Sequence, residues 1–324
     1  GEADRRRLVS SAGHGATGWL RAIPTHYRLQ LPNLHFECAL QFFLHLPLAV
    51  LVAAPVVCKC CQETATADRW GSHDLGPCKQ HNSLERHNRI LDALIAAAKM
   101  VGISAKRDNV LAFMRTDPTD KTKKQPDGAF SLFHVSHRPT LADVVCTHPT
   151  TASSMKKTYR SVGCFATSCE SGSNGRGGKM GKYAAEASRH GFKLQPAGCE
   201  TFGAPGAGLV QLVEDIAAHA AAEGTAVTKS VTGWGAPHVR EFAWQAIAVG
   251  RMRGIADALL AAGRRRVQQN RPRTAALLWG RLLAVCADSA NGRGRGGASG
   301  SSNPAAAARS AASSREHAVA IGAV

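Results

Sequence analysis

The sequence predicts an α/β fold with a small mixed sheet flanked by helices. Three observations carry that expectation. The apolar pattern changes period along the chain in the order helix, three strands, helix, strand, helices. Glycine and proline separate these segments at turn-like spacing. The chain has 324 residues, of which 44% are hydrophobic, enough for a sizeable core.

Residues 1–55 read as a helical lead-in. Within it "NLHFECALQFFLHL" has helical spacing, with Asn33 as N-cap. The apolar run 39–57 approaches the length of a membrane span. It carries Gln41, His45, Pro47 and Pro55, so an amphipathic helix over Leu34–Leu46 and an extended apolar segment are expected instead. A Cys/His segment, 56–82, comes next. "SLERHNRILDALIAAAKMVG" then reads as a helix capped by Ser83 and ended by Gly102, with Leu84, Ile90, Leu91, Leu94 and Ile95 as its buried stripe.

"NVLAFMR", "AFSLFHV" and "TLADVVCT" are the strand candidates. The Gly/Ser-rich 167–181 reads as a mobile insertion. "KYAAEASRHG" is helical, "FKLQPAGCETFG" is a strand broken at Pro196, and "GLVQLVEDIAAHAAAEG" is an amphipathic helix. The main core thus covers 83–224. Helices are expected over roughly 237–262 and 274–287, within a C-terminal helical part at 225–288. The tail 289–324 is too poor in large apolar residues to bury a core. Trp234, Trp244 and Trp279 are expected to be packing residues.

Forty Lys and Arg face 23 Asp and Glu, for a net charge of +17. That balance points to a polyanion, DNA or RNA first. "GRRRVQQNRPR" adds five arginines in one polar stretch, and Arg264, Arg265 and Arg266 are candidate phosphate contacts. The chain opens at Gly1 without an apolar leader, so no secretory signal is read and a piece of a longer protein is expected. Ten cysteines in that setting suggest metal ligands or free thiols, not a disulfide framework.

Cys58 and Cys61 form C-x2-C, and His73 and Cys78 follow as H-x4-C. Four thiolate and imidazole donors at this spacing suit a tetrahedral zinc with no open position, hence a structural one. Cys60 is an alternative thiolate, and His81 or His87 an alternative to His73. Asp127 follows Pro126 in "QPDG", and Asp143 lies inside an apolar run. A carboxylate buried in a strand is costly without a cation or donor. Two such acids at one end of a sheet suit Mg²⁺, a hard ion that prefers oxygen.

The succession "GWLRAIPT", C-x2-C, "GSHDLGPC", "RHN", "QPDG", "LADVVCTHP", "KMGKYAAEA" and "CETFG" resembles the C-terminal region of non-LTR retrotransposon proteins. There a CCHC zinc knuckle precedes a restriction-like endonuclease of the PD-(D/E)XK type. The resemblance runs from about Gly18 to Asp288. It implies structural zinc on Cys58, Cys61, His73 and Cys78, catalytic magnesium on Asp127 and Asp143, and Lys182, or Lys179 before it, as the lysine beside the attacking water. Tyr183 would follow that lysine. Arg86, His87 and Asn88 would open the helix before the catalytic sheet, with Arg86, His87 and Lys179 reaching nucleic acid. Glu200 is a weaker candidate for the acidic centre. Nicking of target DNA, and so an intracellular, nuclear setting with no membrane partner, is what the resemblance implies.

The chain departs from the family pattern. Val145 stands where D-x-K would place lysine, and no Y/F-x-D-D polymerase signature is present. The competing expectation is a catalytically inactive zinc-containing module that binds nucleic acid without cutting it.

Overall fold

The computed structural model describes residues 1–24, 26–52, 69–76, 83–107, 126–131, 138–172, 178–223 and 238–269. The described residues fall within one compact unit, Gly1–Pro272. In chain order its elements begin with α1 (Glu2–Ser11), α2 (Gly18–Arg21), a 3-10 turn at Tyr27–Leu29, α3 (Asn33–Phe43) and a second 3-10 turn at Ala49–Leu51. Then come α4 (Ser72–Leu75), α5 (Ser83–Met100), β1 (Ala105–Arg107), β2 (Gly128–Phe130) and β3 (Thr140–Thr147). They are followed by α6 (Ala152–Met155), α7 (Cys164–Ser171), α8 (Lys179–Arg189), β4 (Lys193–Glu200), α9 (Ala207–Ala222) and α10 (Val239–Gln269).

The four strands form one mixed sheet in the order β1-β2-β3-β4. β1 and β2 are antiparallel, β2 and β3 are antiparallel, and β3 and β4 are parallel. The α/β class with a small mixed sheet flanked by helices therefore holds. Period-2 alternation along β3 sorts its side chains between two layers. Ala142 and Val144 join the main core with α5, α9 and α10, through Ile90, Leu91, Leu94, Leu212 and Phe242. Leu141 faces the other way and packs with Leu194 of β4 and Tyr183 and Ala187 of α8. Asp143 shares the parity of Leu141, which puts a carboxylate beneath α8.

The N-terminal helices wrap α10 in a second cluster, with Trp19, Phe42, Leu48 and Leu51 against Met252, Ile255 and Leu259. Several expectations change. Pro32, not Asn33, is the N-cap of α3. Residues 167–171, expected in a mobile insertion, complete α7, whose Phe165 and Ala166 are buried. β4 runs unbroken through Pro196, opposite Asp143 of β3. Among the described strands β4 lies at the sheet edge, where the missing N–H of a proline leaves one side's pairing intact.

Strand candidate 109–115, most of 129–135, Cys58, Cys60, Cys61, Cys78, His81, Trp234, Trp279 and everything from 270 lie outside the described residues. Of the proposed zinc set only His73 is described, on α4. No helix among the described residues is long and apolar enough to cross a membrane.

Candidate metal centre

Four side chains from four elements converge beside the sheet. Asp127 immediately precedes β2, and its backbone N–H donates to Ala142 O at 2.9 Å. Its Oδ2 accepts from the Val144 N–H at 2.8 Å and lies 2.8 Å from His87 Nε2. The Pro-Asp-Gly sequence has a packing reason here. A Cβ at Gly128 would sit 3.1 Å from Leu91 Cδ1 and 3.3 Å from Lys106 O, so glycine lets the start of β2 approach α5 closely.

His87 sits in the first turns of α5, four residues before the buried Leu91. Asp143 is 1% exposed. Its Oδ1 accepts from Lys179 Nζ at 2.7 Å. Its Oδ2 is buried and has no hydrogen-bond partner among the described residues. Ligand atoms of His87, Asp127 and Asp143 all lie within 4.8 Å of one another.

Lys179 is the first residue of α8, after Gly178. A cation there opposes the helix dipole by a few tenths of a kcal/mol, and the adjacent Asp143 carboxylate offsets it. Lys182, the lysine first favoured, lies over the Tyr183 ring at 4.7 Å instead. The difference follows from helix geometry. Lys179, Tyr183 and Ala187 recur at i, i+4 and i+8 and share the face turned to the sheet, whereas Lys182 is rotated off it.

The electrostatics follow the geometry. Burial pushes the Asp143 carboxyl up to about 7, and the neighbouring Asp127 pushes in the same direction, against the pull of Lys179. Burial also opposes ionisation of Asp127, but His87, Asp143 and the Val144 N–H outweigh it and hold its carboxyl below the ordinary range. Desolvation lowers and the Asp127 carboxylate raises the His87 imidazole, with a net rise. Burial takes the Tyr183 phenol to about 12, and its buried hydroxyl has no partner among the described residues. An ionised Asp143 with one oxygen unmatched is costly, and a divalent cation would match it. The two carboxylates, the imidazole and the orphan oxygen therefore fit a metal ion.

The other expected site residues go elsewhere. Arg86 is 4% exposed and donates to Thr201 Oγ1 at 3.0 Å, so it supports the fold instead of presenting a phosphate contact. Arg266 is also buried, its guanidinium shared by Asp74 Oδ2 and Leu51 O, which removes it from any phosphate-binding surface. Arg264 is exposed and Arg265 half-buried on α10. Glu200 does not join the acidic centre. Its oxygens accept from the Tyr159 hydroxyl at 2.7 Å and the Phe165 N–H at 3.1 Å. Trp244 packs in the main core, as expected.

Reading the sequence placed His87 at a helix start, as an alternative zinc ligand and a nucleic-acid contact, and missed its place beside Asp127 and Asp143. The usable signal is its position one turn ahead of the stripe that packs on the sheet. Comparison of the chain with family models, with curated proteins and with solved structures finds no match in any of the three.

Proposed function

We propose that this chain is a metal-dependent DNA endonuclease, the nuclease-bearing part of a retrotransposon-type protein. The observation that carries the reading is the meeting of Asp127, Asp143 and Lys179, separated in sequence, where the start of β2 meets the middle of β3. Lys179 bonds Asp143 directly, and Asp127 is tied to β3 through the Val144 N–H. The order helix, three antiparallel strands, helices and a parallel strand agrees with the restriction-like architecture that the resemblance implies.

In this reading Asp127 and Asp143 hold the cation, with Mg²⁺ as the ion first expected. A divalent ion there supplies Lewis-acid stabilisation of a leaving phosphate oxygen and lowers the pKa of the attacking water. The Lys179 ammonium orients that water and neutralises charge developing on the phosphate. It takes the place of the lysine that Val145 does not provide. The Tyr183 hydroxyl has a proton to donate to a non-bridging phosphate oxygen. Lys182, beside that ring, adds positive charge for the nucleic-acid backbone. The excess of Lys and Arg draws the polyanion in and makes its binding salt-dependent.

The test is nicking of supercoiled plasmid by the purified chain with a divalent cation. Wild type should convert it to open circle. Equal background from wild type and Asp143→Ala ends the enzymatic reading. The module that binds without cutting then stands if binding falls steeply with salt.

A further inference from the structure

The centre holds a nitrogen donor as well as two carboxylates, and that affects which ion it prefers. His87 is held at both ring nitrogens. Nδ1 lies 3.2 Å from Asn88 Oδ1, and Nε2 lies 2.8 Å from Asp127 Oδ2. Both neighbours are acceptors, whereas a neutral imidazole carries a single N–H. In the tautomer that donates to Asn88, the Nε2 lone pair faces the Asp127 carboxylate. Two lone pairs at that distance repel unless a cation or a second proton lies between them. The buried Oδ2 of Asp143, which lacks a hydrogen-bond partner among the described residues, is a second place where a cation, or a proton shared with Asp127, fits.

The donors are near enough for small side-chain shifts to bring them onto one ion. An octahedral ion with ligands at about 2.1 Å sets cis ligand atoms about 3 Å apart and trans atoms about 4.2 Å apart. The three candidate donors lie within 4.8 Å of one another. Asn88 plays the outer part usual for a ligating histidine, fixing the tautomer and ring orientation from the far nitrogen. Carboxylate and water suit Mg²⁺, but an imidazole nitrogen adds affinity mainly for first-row transition ions.

We propose that His87 Nε2 is a metal ligand and that it makes this centre select a divalent transition ion, with Mn²⁺ as its probe, over Mg²⁺. The inference rests on the reading that Asp127 and Asp143 hold a cation, and it names the class of that cation. Lys179 remains on Asp143 Oδ1, while Asp127 Oδ2, Asp143 Oδ2 and His87 Nε2 face the ion. The Mn²⁺ class also keeps water positions open, which a hydrolytic site needs.

The experiment measures Mn²⁺ and Mg²⁺ binding to the full chain by calorimetry, with Asp143→Asn as the control that removes this centre. Wild type should bind Mn²⁺ at least about tenfold more tightly than Mg²⁺. His87→Gln, which retains a polar group toward Asp127, should bring that ratio below about threefold, mainly by weakening Mn²⁺. An unchanged ratio in His87→Gln, or equal affinities in wild type, overturns the proposal. A second measurement needs no variant. Pulsed electron paramagnetic resonance of the Mn²⁺-loaded wild type should show coupling to a directly bound imidazole nitrogen, and its absence overturns the assignment. The two readings fail separately. Nitrogen-coupled Mn²⁺ without plasmid nicking retains this ligand and ends the nuclease. Nicking with no metal preference does the reverse.

Discussion

Replacing Asp143 with Asn removes one ionisable carboxyl and keeps the side chain's shape. In the wild-type protein this carboxyl titrates at about 7, against an ordinary value of 3.8. Because the folded value is raised, the group's contribution to stability is complete below about pH 4 and is lost as the pH rises through about 7. A span of about three units at about 1.4 kcal/mol each sets a ceiling of about 4 kcal/mol on that loss. Asp127 acts in the opposite direction. Its carboxyl is lowered, so its contribution is present above its ordinary value and is lost in acid. Asp127 remains charged beside it, so about 4 kcal/mol is an upper bound on the penalty for ionising Asp143 at pH 8. An amide at 143 donates to Asp127 and accepts from Lys179 with no charge to bury. Asp143→Asn should thus be more stable than wild type at pH 8 in a chelator, by at most about 4 kcal/mol, with the gap closing near pH 4. Urea denaturation from pH 4 to pH 8 measures it. Added divalent ion should narrow the gap by stabilising the wild type alone. A variant less stable than wild type by the same amount at every pH would refute the carboxyl–carboxyl coupling.

Three further outcomes are expected. Lys179→Ala should lower plasmid nicking by about a hundredfold or more, while Lys182→Ala should stay within about threefold, measured as single-turnover rates. Arg266→Ala leaves Asp74 charged, buried and without that partner, and should cost about 3–5 kcal/mol in denaturant unfolding. Glu170→Ala strips the carboxylate that accepts from the Gly198 N–H of β4 and from the Gly208 and Leu209 N–H groups at the start of α9. It should cost about 2–3 kcal/mol by the same assay, with metal affinity changed far less.

The strands β2, β3 and β4 and the long helices were legible from their apolar patterns, whereas the short β1 at Ala105–Arg107 was not read. β3 declared itself through "TLADVVCT", and α5 through a stripe in which Ile90, Leu91 and Leu94 are buried and Ile95 partly so, although Leu84, expected in it, is exposed. Asp143 stood out because a charge inside an apolar run asks for a partner. Where tertiary contacts set the outcome, reading the sequence fell short. α7 was hidden because its Ser and Cys residues resemble the low-complexity stretch that follows. Pro196 did not break β4, because the consequence of a proline depends on which edge of the sheet it occupies. The basic residues were the hardest. Arg6 donates to Ser154 O and Lys157 O, and Arg251 to Thr201 O and Ala16 O, all within the fold. A guanidinium spent on backbone carbonyls looks the same in sequence as one facing solvent. The net charge therefore overstates the cationic surface. The choice between Lys179 and Lys182 was available in principle from the spacing to Tyr183 and Ala187.

α5 carries His87, and its most extensive helix contact is with α10. The approach is nearly backbone to backbone. A Cβ on Gly254 would fall 2.5 Å from Arg86 Cα, and one on Gly250 would fall 2.8 Å from Arg89 O. These contacts bracket His87. The part of the chain that seats the imidazole thus lies some seventy residues beyond Lys179, the last of the four convergent side chains. During synthesis the other three side chains can leave the ribosome long before the helix that sets the fourth. The order of translation therefore delays assembly of the centre, and a nascent chain stopped before Gly250 would carry all four groups without the means to hold them in register.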